Sequence, residues 1–275
     1  PKPPVGDSPF LRPEVASELP SRTIGHSGRT SAGRPVLDDE WFHLNQERAA
    51  RGLSQLKLAG SMELRFALHD PIEKSQLELL SAMRKSQIRT FGWPIGVIFE
   101  NDDEHGPRPV LDGVLAEIPI NEGVISGRPS YDLWAVRRNG DFFLLQSLFE
   151  DQREEQQIFF DTRTVRVTES MMFCANLYEH LGVAPDAPIS IRVRHDGLAG
   201  RSLTTASPRR HLPPTTAREE ATVVELNASI TSLRERLADH VVQVVEPMFM
   251  LFAFQSFGRN VYDEIVSGFA DGRIV

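Results

Sequence analysis

Between Ile189 and His211 the chain carries five arginines, Arg192, Arg194, Arg201, Arg209 and Arg210, against one acid, Asp196. Five positive charges against one negative leave this stretch at +4, inside a protein whose 30 Lys and Arg and 38 Asp and Glu give −8. Guanidinium forks match phosphate oxygens bidentately, so the pattern points to DNA or RNA as a partner. Arg137 and Arg138, just before a hairpin turn, extend the patch if they share its edge. The competing reading is that the plentiful Asp and Glu pair with these arginines. The acidity of the whole chain also opposes nonspecific polyanion binding, so any phosphate site must be local.

Two other groups of residues offer chemistry. The aromatic run Phe249, Phe252, Phe254 and Phe257 is either core or a partner interface, the latter making the chain an oligomerisation module or part of a larger complex. Glu63, Asp112 and Glu117 stand near expected strand ends, where gathered carboxylates would suit a metal-dependent nuclease, but their spacing compels no such site. Phosphate-loop, dinucleotide-turn, His-Glu-x-x-His and paired-cysteine zinc motifs are all absent, so no metal, cofactor or catalytic residue is assigned and the reading leans away from an enzyme. Gly25-His26-Ser27-Gly28 falls short of a nucleophile elbow, because Arg29 stands where its last glycine belongs. Asp102-Asp103-Glu104-His105 has ligand residue types in a loop that reads as solvated surface, and Cys174 lies on the apolar side of its helix, a packing position.

The elements that must position these residues belong to an ordinary globular chain of 275 residues, 40% hydrophobic and 25% charged. One cysteine allows no internal disulfide, and no apolar run approaches the roughly 20 residues that span a bilayer, so a cytoplasmic location and no membrane partner are expected. The chain opens on Pro1, which suggests that it was trimmed, processed or cut from something longer. Residues 1–36 are rich in Pro, Gly, Ser and Thr without apolar periodicity and read as a disordered tail or linker. Residues 37–275 read as one globular domain, or two lobes dividing near 150–160.

Within that domain, periodicity predicts a helix from Leu37 to Leu56 and a strand from Ser61. A helix over 71–87 follows, capped by Asp70 with Pro71 and Glu73 in its first turn. Strands are expected at 94–99 and 113–120, with 101–109 as a loop. Asn139-Gly140 between two apolar runs predicts a hairpin with a type I′ turn, its strands buried on both faces. A helix over 161–181 ends at Gly182. Ile189 to Arg194 alternates as a strand, with a return strand at 201–207 and another at 222–226. A helix over 229–246 is kinked or ended by Pro247, and a short helix finishes the chain. The fold class is mixed α/β (α+β), with a mixed sheet of about six to eight strands and packed helices.

The stretches Arg65 to Leu68, Phe91 to Val97, Tyr131 to Ala135 and Asn139 to Asp151 resemble the C-terminal region of uncharacterised bacterial proteins that often carry an N-terminal Schlafen-like, AlbA-type DNA-binding domain. Arg192-Val193 to Ser207-Pro208 belongs to the same pattern, and the resemblance covers about Leu37 to Arg273. It implies an accessory or interaction domain of a nucleic-acid-associated protein, in regulation or defence. It transfers no active-site residues, and the AlbA-type domain itself is not recognisable in this chain.

Overall fold

The computed structural model describes residues 37–88, 90–122, 127–153, 156–207, 210–213, 215–253 and 257–273. The expected tail at 1–36 lies outside the described residues. The elements run α1 (Glu40–Gln55), β1 (Ser61–Leu68), α2 (Gln76–Ser86), β2 (Arg108–Val110), β3 (Gly113–Ile120), β4 (Ser130–Arg137) and β5 (Phe142–Ser147). A 3₁₀ turn (Phe149–Gln152) leads to β6 (Gln157–Phe159), α3 (Phe160–His180), β7 (Ile189–Asp196), β8 (Ser202–Thr204) and β9 (Ala221–Ala228). Helices α4 (Ile230–Glu235), α5 (Leu237–Met250) and α6 (Arg259–Ala270) complete the chain.

Seven strands form one sheet in the order β2-β3-β4-β5-β1-β7-β9, with every pairing antiparallel; β6 and β8 pair in parallel beside it. The fold is thus mixed α/β. Strands β4, β5 and β1 lie in the middle and are buried on both faces. One face carries Trp134, Phe142, Leu144, Leu64 and Phe66 into the main core with α3 and α5. The other carries Tyr131, Leu133, Phe143 and Leu145 against Phe42 and Ala49 of α1. The main core joins Trp134 and Leu144 to Phe173 and Val244, elements on both sides of 150–160.

Helix α1 starts where its first-turn acid predicts, with the Asp39 carboxylate accepting from the Phe42 N–H. It can lie close on β4 only because position 52 is glycine: a Cβ there would sit 2.1 Å from the Tyr131 ring. Helix α3 is buried nearly all round its first three turns and ends in a Schellman motif. Gly182, at φ +76°, donates to the Glu179 carbonyl and Val183 donates to that of Tyr178.

Several expectations are corrected. Helix α2 begins at Gln76, because the Ile72 and Lys74 N–H groups bond the carbonyls of Asn139 and Arg138 and hold 70–74 out of a helix. Ser75 and Glu78 form the capping box instead. Residues 94–99 form no strand. Gly92 and Gly96 take positive φ, and the segment's backbone bonds the side chains of Glu169, Gln87, Trp134 and Arg166 rather than a ladder. The β4–β5 hairpin forms, but only Gly140 has positive φ, and its N–H bonds the Arg137 carbonyl. This is the geometry of a type I turn with a glycine bulge, not type I′. β2 occupies part of the expected loop. β8 pairs with β6 rather than returning beside β7. Pro247 sits inside α5, which runs on to Met250.

Candidate functional site

The ends of five strands meet at one side of the sheet: Ser61 of β1, Ser130 of β4, Ser147 of β5, Asp196 of β7 and Ala221 of β9. The connections beyond them line a cavity of about 290 Å³, walled among others by Lys57, Arg128, Asp151, Gly197, Arg201 and Glu220. Asp151, on the 3₁₀ turn, ties it together. One carboxylate oxygen accepts from the Gly60 N–H at 3.1 Å and the other takes the Arg201 guanidinium, while the Asp151 carbonyl accepts from Arg128 at 3.1 Å. Arg201 also donates to the Gly197 carbonyl at 2.6 Å. Gly197 is required there: it has φ +72°, and a Cβ would lie 2.2 Å from the Ala59 carbonyl oxygen. Its N–H, 3.1 Å from Glu220, occupies one oxygen of that acid. Lys57, itself at φ +57° and exposed, makes no ion pair among the described residues.

A second group of charges lies inward of this cavity, buried between the sheet and the first half of α3. Asp132, Gln146, Met62 and His195 form one row across β4, β5, β1 and β7. Over it stand Arg163, Arg166 and Glu169 of α3, with Glu150 of the 3₁₀ turn paired to Arg163. Burial holds Asp132 well above the ordinary carboxylate range, and burial together with the nearby Arg163 pulls His195 down to about 3. His195 is therefore neutral at pH 7. Among the described residues, Asp132 Oδ1, His195 Nε2 and Arg166 Nε find no hydrogen-bond partner.

The arginines singled out in the sequence do not come together. Arg192 and Arg194 do project from one face of β7, beside Arg65 and Glu63 of β1 in register. Arg192 is held by Asp38 and Glu225, Arg194 by Asp196 at 2.6 Å, and Arg65 by Glu63 and Asp38. Three guanidiniums thus share four carboxylates, and the pairing raises Arg192 above its ordinary range. Arg201 is 4% exposed and faces the cavity instead. Arg210 pairs with Glu264 at 3.1 Å. Arg137 pairs with Asp39 and Arg138 with Glu73, at the far end of β4, with β5 and β1 between them and β7. Arg209 lies outside the described residues.

The aromatic run packs inward. Phe249 and Phe252 are 1% and 0% exposed, and Phe160 contacts both Phe249 and Phe257 ring to ring, which leaves Phe249 and Phe252 no surface for a partner. Phe254 lies outside the described residues. The three carboxylates named for a nuclease stand apart: Glu63 on Arg65, Glu117 on Arg48 and the Tyr131 hydroxyl, Asp112 exposed in the β2–β3 turn. Among the described residues no three His, Cys, Asp or Glu side chains are grouped to hold a metal ion. Asp102 and His105 bond each other in a local turn, and Cys174 is buried, which pushes its thiol pKa up. No helix among the described residues is long and apolar enough to cross a membrane.

Sequence reasoning missed Lys57, Arg128, Asp151 and Glu220, which lie in connections without a motif. It also missed Glu150, Arg163, Arg166 and Glu169. For the three on α3 the signal was their spacing, charged residues three apart at 163, 166 and 169, which sets them along one side of the helix; Glu150, on the 3₁₀ turn, carried none. Comparison with known proteins adds no assignment: no family model matches the chain, and neither a curated protein nor a solved structure matches it.

Proposed function

We propose that this chain is a non-enzymatic interaction domain of a nucleic-acid-associated bacterial protein in the cytoplasm, and that it holds a phosphate at the sheet-end cavity. The observation that carries the reading is the convergence of Lys57, Arg128 and Arg201, from three separate connections, on one concave site in an acidic protein. Asp151 is already occupied by Gly60 and Arg201. Lys57, exposed at the cavity, makes no ion pair among the described residues, whereas the β7 face has more carboxylates than guanidiniums. Lys57 supplies a mobile point charge and Arg201 a fixed one. The resemblance of Arg65 to Leu68, Tyr131 to Ala135 and Asn139 to Asp151 to nucleic-acid-associated proteins supports the same class of partner.

The test is an anisotropy titration with single-stranded DNA, duplex DNA and RNA at two salt concentrations. Wild type is compared with Lys57→Ala/Arg128→Ala and with Arg192→Ala/Arg194→Ala. Salt-sensitive binding is expected, with the log–log salt slope falling by about 1 for each phosphate-contacting cation removed at the cavity and staying unchanged for the β7 variant. Absence of binding to all three probes overturns the reading; equal loss in both variants removes it from the cavity.

A further inference from the structure

Strand β9 is the last strand of the sheet. All eight of its residues, Ala221–Ala228, pair with β7 in unbroken register. In such a ladder alternate N–H and C=O groups point away from the partner strand. Among the described residues none of those groups bonds the backbone outside the ladder, and the elements that pack most closely on β9 are β7 and α5. Among the described residues nothing pairs with its outer edge.

Open edges are normally blunted by shortness, proline, lysine or a bulge, because they template pairing with another chain. The opposite edge of this sheet is blunted in that way: β2 has three residues, including Arg108 and Pro109. β9 has none of these devices. It contains no Pro, Gly or Lys and no bulge, and its first half carries Thr222-Val223-Val224. Its one charge, Glu225, is engaged by Arg192. Val223, on the open face opposite Arg194, is 51% exposed.

We propose that β9 pairs antiparallel with β9 of a second copy of this chain, continuing the sheet across a two-fold axis. One pairing-competent edge per molecule allows a closed dimer and forbids a fibre, since the β2 edge offers no second long strand. A two-fold centred on Val224 sets Val223 of each copy opposite Glu225 of the other. No like charges face each other, and the β-branched residues lie along the seam, where they suit a pleated surface.

Sedimentation velocity over a protein concentration series tests this, with paired variants at one exposed position. Wild type is expected to reach dimer and go no further. Val223→Glu places a carboxylate opposite Glu225 twice per dimer and is expected to weaken association about 3- to 30-fold. Val223→Lys at the same site gives attraction instead and keeps the dimer at least as tight as wild type. Circular dichroism melts of the monomers separate misfolding from lost association, and Val223 is exposed enough for both variants to fold. A wild type that stays monomeric throughout overturns the proposal, as does equal association of the Glu and Lys variants or growth to species larger than a dimer.

Discussion

Arg163 Nε donates to Glu150 Oε1 at 2.8 Å and its Nη2 lies 2.7 Å from Glu150 Oε2, with both side chains at most 1% exposed. The second contact is close but poorly aligned, for Nη1, Nη2 and Oε2 form no hydrogen bond. The pair therefore spans the gap between the 3₁₀ turn and α3 as an ion pair with incomplete hydrogen bonding. A buried pair of this kind gains Coulomb energy but loses the hydration of both ions, so its net worth is small while the cost of breaking it is large. Glu150→Ala or Arg163→Ala is expected to cost about 3–5 kcal/mol by leaving one charge alone inside the domain. The double change Glu150→Leu/Arg163→Met is expected to recover most of that loss, measured by urea denaturation of all variants at one pH.

Phe249 offers a cleaner separation of core from interface. It lies at ring-centroid distances of 4.8 Å from Phe160 and 6.3 Å from Phe257. Phe249→Ala is expected to cost about 3–5 kcal/mol of folding stability, the range for a buried phenylalanine that leaves a cavity. An interface residue would instead change association and leave the folding midpoint of the monomer in place. Thermal melts followed together with sedimentation separate the two.

What was legible in the sequence follows from where the controlling information sits. Alternation, capping and the Asn139-Gly140 pair are local, so β1, β4, β5, α3 and β7 stand where the pattern puts them. The segment 94–99 is apolar enough for a strand, yet it is held by Glu169 and Trp134, 74 and 37 residues away from their partners Ile95 and Val97. No local pattern carries that information. The arginine patch was read from residue types crowded in sequence, but neighbours on a strand need not be neighbours on a free surface. Asp38, Glu225 and Asp151 reach Arg192 and Arg201 from distant parts of the chain. The cavity was illegible for the same reason, being assembled from the loops beyond five strand ends.

His195 gives an acid-side prediction. Burial together with the nearby Arg163 lowers its pKa to about 3, against 6.5 for an exposed imidazole. The unfolded chain therefore takes up a proton that the folded protein refuses. The stability tied to the neutral ring is full above pH 6.5 and is lost as pH falls toward 3. His195→Leu is expected to flatten the decline between pH 6.5 and 4. It also removes the unpartnered Nε2 at a gain of about 1 kcal/mol at pH 7. Urea denaturation midpoints across that pH range decide it; an unchanged slope would remove His195 from the acid response.

Asp141 predicts the opposite slope. Its folded pKa is pushed up to about 6, chiefly by burial, while Asn139 works to lower it through a 2.7 Å hydrogen bond to Oδ2. The folded protein then holds a proton that the unfolded chain releases near pH 4, so this group's contribution is most favourable below pH 4 and declines as pH rises through about 6. Arg137, 3.9 Å away, is too far to offset the loss of hydration. Asp141→Asn keeps the shape and removes the charge. It is expected to leave stability at pH 4 within a few tenths of a kcal/mol and to raise it by about 1–3 kcal/mol at pH 7.5. Because the His195 and Asp141 terms oppose each other between pH 4 and 6, they largely cancel there in the wild type: each single variant should unmask the slope of the other group, and the double variant His195→Leu/Asp141→Asn should return to the wild-type slope. Single variants whose slopes both match wild type would place the titrating groups elsewhere.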